Sequence, residues 1–440
     1  MSHLIPQAIQ PYVLPVIDAV VIVLVLPLLA GYIVLLERKV MADMQARLGP
    51  MRVGPHGLLQ PIADAVKLLL KEDIIPEGAD RWMFWFAPLV SVTMAMVAYS
   101  ALPFGPSFQI ADLDIGLLFI VAVSSLGIYG IVLGGWASNS HFSLMGALRS
   151  AAQLVSYETA AGLALVSGLL LGGSLSMRSL VEAQDQMGVW FIFVVPLGFF
   201  IYLVGSIAET NRAPFDLPEA ESELVAGYMT EYSGFRWSLY FLAEYANMIV
   251  VAGIATTLFL GGWLRPLGSF HAHVFGTSME WMDAAPSLAF FMAAAYCFWR
   301  TPRQPVQIQK IVMALFGGLC LALAGVMFLS LFSPKLMPGI HGAFWFMAKV
   351  LAYLYAFLWF RFTFPRYRFD QLMRLGWQFL IPLALANVIA IAVAQVLHQQ
   401  YGWSLFTSFG LTTLATLLVA MWLLASEERQ QPAVSPSGGD

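Results

Sequence analysis

The sequence has 440 residues, of which 59% are hydrophobic and only 11% are charged, and its formal net charge is −4. Soluble domains contain about 25% charged residues, so this composition excludes an ordinary soluble protein and predicts an integral membrane protein. The small net charge gives no sign of a nucleic-acid partner, and the two cysteines, Cys297 and Cys320, lie in apolar runs without the neighbouring His or Cys of a metal site.

Eleven apolar segments follow one another along the chain. Most are long enough to cross a bilayer as a helix, whereas the seventh is short and could be re-entrant. They lie at residues 12–36, 82–102, 115–136, 154–175, 189–208, 238–263, 285–299, 311–332, 343–360, 378–397 and 405–425. We therefore predict an all-α, polytopic membrane protein with a single transmembrane domain over residues 1–425. The Pro/Ser/Gly-rich tail at 426–440 is expected to be disordered.

The lysines and arginines are distributed unequally between the two sets of loops that join these segments. One set holds 18 of the 22, the other holds Arg178, Arg265 and Lys335, and Lys349 lies inside the segment 343–360. Basic residues concentrate on the cytoplasmic side of membrane proteins, so the N-terminus is predicted outside and the C-terminus in the cytoplasm. Lys349 is expected to extend its ammonium group outward to the membrane surface.

The first cytoplasmic loop, residues 37–81, contains an amphipathic pattern. Gln60, Asp64, Lys67 and Lys71 recur at helical spacing and form one polar stripe, while leucines, Ile62 and Val66 form the opposite face. This pattern predicts a helix that lies in the membrane interface. It is either a connector packed on the protein or a helix that covers an opening on the lipid side. The preceding glycines and prolines, residues 49–57, predict a shaped, non-helical loop.

Three carboxylates lie at or inside the cytoplasmic ends of apolar segments. Glu158 and Glu244 are a few residues inside the segments 154–175 and 238–263, and Glu209 closes the segment 189–208. Carboxylates at such depths are costly and usually face a cavity, a partner or a proton path. The alternative is that all three are simply interfacial.

The loop at 209–237 is strongly acidic. From Ala208 to Tyr232 it contains six carboxylates, Glu209, Asp216, Glu219, Glu221, Glu223 and Glu231, and one base, Arg212. The run "DLPE" predicts a helix start with Asp216 as the N-cap, which explains only part of the charge. The rest is either an ordinary solvated loop or a cluster in partly apolar surroundings, where carboxylates share protons.

Five blocks of the sequence are distinctive when they are taken together and in order: "ERKVMADMQARLGPMRVGPHGLLQPIADAVKLLLKE", "RSAAQLVSYE", "AETNRAPFDLPEAESELVAGYMTEYSG", "AEYANM" and "FRFTFPRYRFDQLMRLGW". These blocks resemble the H-type membrane subunit of bacterial NADH–quinone oxidoreductase, a component of respiratory complex I related to mitochondrial NADH dehydrogenase subunit one. The resemblance implies a protein that forms the membrane side of the quinone chamber and the start of a charged path toward proton-pumping subunits.

The resemblance also implies which residues serve each part. Those of the quinone chamber are Glu37, Arg38, Gln45, Arg47, Asp64 and Lys67. Those of the proton path are Glu158, Glu209, Arg212, Asp216, Glu219, Glu221, Glu223, Glu231 and Glu244.

Cofactors and partners are implied in the same way. Quinone is the expected substrate, no complete active site is expected on this chain alone, and FMN and iron–sulfur clusters are expected in partner subunits. This agrees with a sequence that shows no glycine-rich nucleotide loop and no His/Cys ligand cluster. Other membrane and peripheral subunits and membrane lipid are the expected partners, in the inner cell membrane.

The sequence departs from the family pattern in length. The family core has eight spans, so residues 285–332 are predicted to be an inserted hairpin and residues 405–425 an added last span. Three other functions stay open. These are a related complex fed by a donor other than NADH, the membrane subunit of an energy-converting hydrogenase, and a stand-alone ion transporter. The hydrogenase relatives tend to have a His in the acidic block, and none occurs between Ala208 and Tyr232.

Overall fold

A computed structural model of the chain describes residues 10–106, 108–217, 224–266, 280–304, 306–333 and 336–430, and it contains helices and no strand within these ranges. The helices are α1 (Gln10–Met44), α2 (Gln60–Leu70), α3 (Arg81–Ala98), α4 (Gly116–Ala137), α5 (His141–Gly172), α6 (Met177–Met187), α7 (Pro196–Glu209), α8 (Gly234–Phe259), α9 (Ala285–Arg300), α10 (Gln307–Ser330), α11 (Met337–Thr363), α12 (Phe369–Arg374), α13 (Ile381–Tyr401) and α14 (Leu405–Gln430).

Each of the eleven predicted segments falls largely on helix, and the predicted all-α membrane architecture is confirmed. Among the described residues, eight helices have the length and apolar composition needed to cross a membrane: α1, α3, α4, α5, α8, α10, α11 and the continuous run from α12 to α13. Pro196–Glu209 and Thr407–Leu423 are shorter apolar helices, and α9 has 16 residues.

The fifth predicted segment, 189–208, is broken rather than continuous. A short helical turn at Phe191–Val194 ends at Val195, whose φ of −128° and ψ of 60° are not helical, and Pro196 begins α7. Proline suits the first turn of a helix and disfavours helical geometry in the residue before it, so the break follows from the Val195–Pro196 pair.

Helix α8 occupies the centre of the molecule. It packs against α1, α2, α3 and α11, and 83% of its most apolar stretch is buried inside the protein. Since a helix surrounded by other helices has little contact with lipid, its polar side chains, including Glu244, have protein neighbours. This central position makes α8 the scaffold of the candidate site.

The segment predicted as an inserted hairpin forms two helices, α9 and α10, that pack on each other. The end of the hairpin that holds the start of α9 and the last residue of α10 contacts α11. There the ring centroids of Phe290 and Phe344 are 5.8 Å apart and His341 Nε2 lies 2.9 Å from Ser330 Oγ. Helix α10 also packs on the turn Pro55–Gly57 that precedes α2. Both cysteines are buried in this hairpin.

At the C-terminus, α14 continues to Gln430. The start of the segment predicted as disordered, 426–430, is therefore helical, and 431–440 lie outside the described residues. One membrane side carries the end of α1, the amphipathic helix α2 and the loop before α8. We call it the basic side, because the loops rich in lysine and arginine are found there.

Candidate functional site

An apolar groove of about 430 Å³ lies between α1, α2 and the first turns of α8. Helices α1 and α2 approach closely where Gly31 faces Pro61, since a Cβ added at Gly31 would lie 3.1 Å from the Cβ of Pro61. Ile62 and Leu69 on α2 are 52% and 61% exposed. This volume is in the range of small-molecule sites, and the largely apolar walls suit an apolar chain.

A polar cluster closes the groove on the basic side. Arg38 on α1 forms an ion pair with Asp64 on α2, with Nη1 and Oδ2 2.7 Å apart, and Gln60 Nε2 donates to the other carboxylate oxygen at 2.9 Å. The two charged side chains are 40% and 31% exposed, so the pair adds little stability. Its effect is to orient α2 against α1.

A second, more polar cavity of about 330 Å³ adjoins the groove; we call it the chamber. Val34, Arg38 and Tyr245 belong to the walls of both. The chamber lies between α1, α8, α11 and the segment before α8. The residues that line it are Val34, Glu37, Arg38, Met41, Arg212, Ala226, Met229, Trp237, Phe241, Glu244, Tyr245 and Arg361.

Glu37 is held from two sides at the wall of the chamber. Arg361 on α11 donates from Nη1 to Glu37 Oε1, and the hydroxyl of Tyr245 on α8 donates to Glu37 Oε2 at 2.6 Å. The Glu37 side chain is only 8% exposed. A buried carboxylate is tolerated when it is paired and hydrogen-bonded, and these contacts join α1, α8 and α11 at one point.

Glu244 forms the second carboxylate centre of the chamber. Arg212 Nη2 lies 3.5 Å from its Oε2, and the Tyr228 hydroxyl donates to its Oε1 at 2.9 Å. The Arg212 guanidinium also lies over the ring of Tyr245, 4.4 Å from the centroid. Both charged side chains are almost completely buried, so a change in one will be felt strongly by the other in this low-dielectric setting.

A small polar pocket of about 40 Å³ lies on the other side of Glu244. Glu158, Glu209 and Glu244 line it together with Ser125, Tyr240 and other polar side chains. Ser125 donates from its hydroxyl to Glu158 Oε1. A water molecule needs about 10–15 Å³, so the pocket has room for a few waters between the carboxylates.

The structure brings three of the six residues assigned to the quinone chamber to these cavities. Glu37, Arg38 and Asp64 are wall residues. Gln45 and Arg47 hydrogen-bond to each other at 2.7 Å in the exposed segment after α1, away from the walls of both cavities. Lys67 is exposed on α2 and belongs to neither wall.

The residues assigned to the proton path separate in the same way. Glu158, Glu209, Arg212 and Glu244 line the chamber or the pocket. Asp216 lies farther along the loop, where its carbonyl accepts from Arg366, and Glu231 lies in the turn before α8. Glu219, Glu221 and Glu223, and with them the predicted helix start after Asp216, lie outside the described residues.

Three residues that hydrogen-bond to Glu37 or Glu244 were not assigned from the sequence: Tyr228, Tyr245 and Arg361. Tyr245 directly follows Glu244, so its position beside a buried carboxylate was a usable signal. Arg361 lies at the end of a span on the basic side, where the positive-inside rule already accounts for an arginine.

Comparison with known proteins gives the class first. The family model described as NADH dehydrogenase matches residues 17–392, so the chain belongs to the NADH dehydrogenase family. The match includes every residue of the groove, chamber and pocket named above. It ends before α14.

Individual relatives narrow this further, and each is an H-type subunit of NADH-quinone oxidoreductase. The second such protein of Solibacter usitatus is 52% identical over 404 residues, which cover 89% of this chain and 98% of the relative. The first such protein of Koribacter versatilis is 52% identical over 379 residues, covering 83% and 87%. That of Rickettsia bellii is 40% identical over 393 residues, covering 89% and 96%. The family resemblance drawn from the sequence blocks is confirmed.

Proposed function

We propose that this chain is the membrane subunit of a proton-translocating NADH–quinone oxidoreductase. In it, the chain forms the membrane side of the quinone chamber and the start of the charged path that couples quinone reduction to proton movement. One observation carries the proposal: Glu244 lines both the chamber and the carboxylate pocket. The space proposed for quinone and the space proposed for protons therefore share this side chain.

The groove suits the apolar tail of a quinone, and the chamber suits its head group. The carbonyl oxygens of the head accept hydrogen bonds. Arg38 and Arg361 place guanidinium groups at the chamber wall, and each has more N–H donors than its one carboxylate partner uses. Reduction to the quinol consumes two electrons and two protons, and the electrons come from partner subunits that carry FMN and iron–sulfur clusters. The task of this chain is to bind and orient the quinone and to respond to its charge.

Arg212 provides the response. It lines the chamber beside Glu244, at 3.5 Å from that carboxylate and stacked on Tyr245. Negative charge on a partly reduced head group attracts the guanidinium, which weakens its hold on Glu244. The electrostatic surroundings of Glu244 then change, and the pocket beyond it holds two further carboxyl groups, Glu158 and Glu209, as candidate proton carriers.

Photolabelling tests the quinone site. A photoreactive quinone analogue with a long tail is added to membranes that contain the assembled complex, and labelled peptides are identified by mass spectrometry. Labelling is expected within residues 24–38, 60–69 and 235–245, and excess natural quinone should suppress it. Labelling confined to the hairpin α9–α10 or to α14 would contradict the proposal.

The electron donor and the orientation are tested separately. The names of the relatives include NADH, which supports NADH as the electron donor. Purified complex that oxidises NADH with quinone would establish this donor, and purified complex that requires a different donor would contradict it.

The predicted orientation, with the N-terminus outside and the C-terminus in the cytoplasm, can be checked with single cysteines at the two ends. The cysteine at the N-terminal end should react with a membrane-impermeant thiol reagent in intact cells.

A further inference from the structure

Lys349 is a buried cation that neither the groove, the chamber nor the pocket uses. It lies in α11 and is only 7% exposed, so the expectation that it extends to the membrane surface is wrong. Its Nζ donates to three backbone carbonyl oxygens just beyond the end of α8: Leu260 at 2.7 Å, Gly262 at 3.0 Å and Leu264 at 2.6 Å. We call these three carbonyl groups the carbonyl cage.

The cage matches an ammonium group rather than a neutral amine. An ammonium has three donors and no acceptor, and the three carbonyl oxygens accept all of them. The C-terminus of a helix carries partial negative charge, and the Nζ also lies 4.3 Å from the centroid of the Trp190 ring, a favourable position for a cation. No carboxylate pairs with Lys349 in the described part of the chain.

The local sequence builds the cage. Gly261 and Gly262 have φ values of +73° and +50°, in the left-handed region that favours glycine. A Cβ added at Gly262 would collide with Val181, and one at Gly261 with Trp190. The resulting turn, in which Gly262 N donates to Thr256 O at 2.8 Å, directs the carbonyls of three alternate residues, Leu260, Gly262 and Leu264, toward α11.

The same two helices meet again at the chamber. There Arg361 of α11 and Tyr245 of α8 both bind Glu37. At 1.5 Å per residue, each of these contacts lies about 20 Å along its helix from the carbonyl cage. Helices α8 and α11 are thus joined by polar contacts at two levels, and the second level carries Glu244 and Tyr245.

We propose that Lys349 is a positioning residue. By placing its ammonium in the carbonyl cage it sets the position of α8 along α11, and thereby holds Glu244 and Tyr245 in place at the chamber wall. This proposal rests on the proposed function, because it assumes that these two residues face the quinone.

The test uses the assembled complex in isolated membranes with Lys349→Met, which keeps an apolar stem and removes the three donors. Leu351→Met, at a 40% exposed position of the same helix, is the matched control. The measurements are the amount of complex, NADH oxidation with an acceptor that takes electrons before quinone, and KM and kcat with a short-tailed quinone.

Lys349→Met is expected to leave the upstream reaction unchanged and to raise the quinone KM about tenfold. The expected reason is a small displacement of Glu244 and Tyr245, since a misplacement of about 1 Å in a site can cost ~100-fold in activity. A purely structural role lowers the amount of complex and leaves KM unchanged. The double variant with Tyr245→Phe should have nearly the KM of Lys349→Met alone, because Tyr245 is already displaced; additive effects would overturn the proposal.

If Lys349→Met does not assemble, Lys349→Arg decides, because its longer, planar head cannot reproduce the three contacts. A normal KM in the assembled arginine variant, or failure of both variants to assemble, overturns the positioning role. If Tyr245→Phe alone leaves the quinone KM unchanged, the proposed quinone chamber is wrong. This result distinguishes a failure of the proposed function from a failure of the positioning role of Lys349.

Discussion

Tyr245 donates a hydrogen bond of 2.6 Å to Glu37 across 208 residues of sequence. Removal of the hydroxyl by Tyr245→Phe keeps the ring that packs under Arg212 and leaves Glu37 with Arg361. We expect the quinone KM to rise about tenfold, because Glu37 loses a hydrogen bond to a charged group, which contributes about 1.5–3 kcal/mol, and is then held less firmly at the chamber wall. Steady-state kinetics with a short-tailed quinone measure it, and Tyr129→Phe, at a 61% exposed position on α4, should be without effect.

Glu209→Gln and Glu244→Gln are expected to lower proton pumping, and quinone reduction with it, because each removes a titratable group from the carboxylate pocket while its size is kept. Assembly and upstream electron flow should stay normal. Pumping is followed with a pH-sensitive dye in the same membranes, and Glu77→Gln, at an exposed position, is the control. Unchanged pumping in both variants would rule out an essential role for these carboxylates.

Gly31→Leu is expected to narrow the apolar groove, because even a Cβ at this position would lie 3.1 Å from Pro61. The KM should rise several-fold for a quinone with a long tail and change little for a short-tailed analogue. The ratio of the two KM values is the readout. Gly318→Leu, an exposed position in α10 with no atom within 4 Å of an added Cβ, serves as the comparison, and equal changes for both quinones would place the tail elsewhere.

Acid is expected to loosen the turn Pro55–Gly57. Burial lowers the pKa of His56 below its ordinary value of 6.5, and the nearby charges of Arg300 and Lys39 lower it further. The unfolded turn therefore binds more protons than the folded one near this pH, so its stability falls as the pH drops through about 6.5. Hydrogen exchange in residues 49–57, corrected for intrinsic rates, should be faster at about pH 5.5 than at about pH 7.5.

His56→Gln should remove this pH dependence, whereas the exposed His141→Gln should retain it. If both variants show the same dependence as the parent, protonation of His56 is not its cause. The hairpin contributes to this effect through Arg300, so the test also reports on the contact between the hairpin and the loop before α2.

The helices were predictable because the length of an apolar run is a local property of the chain. Amphipathic spacing likewise located α2, and the depth of Glu158, Glu209 and Glu244 in apolar segments singled out three side chains that line one pocket. The stripe on α2 was less informative. Asp64 and Lys67 share it, yet only Asp64 faces α1, because the orientation of a short helix depends on what it packs against.

The contacts that build the chamber were not predictable in this way. Arg361 and Glu37 are 324 residues apart, and no local pattern relates them. Lys349 was expected to reach the membrane surface because that is the usual outcome for an isolated lysine in a span. Three carbonyl oxygens at the end of another helix are closer partners, and only the packing of α8 against α11 reveals them.

The shared position of Glu244 has a thermodynamic consequence. Linkage between two binding equilibria is reciprocal. If a quinone species in the chamber changes the proton affinity of the carboxylate pocket by some factor, proton uptake at the pocket must change the affinity for that species by the same factor. Quinone affinity, measured without turnover, should therefore vary with pH. Its slope would count the protons exchanged on binding before any electron is transferred.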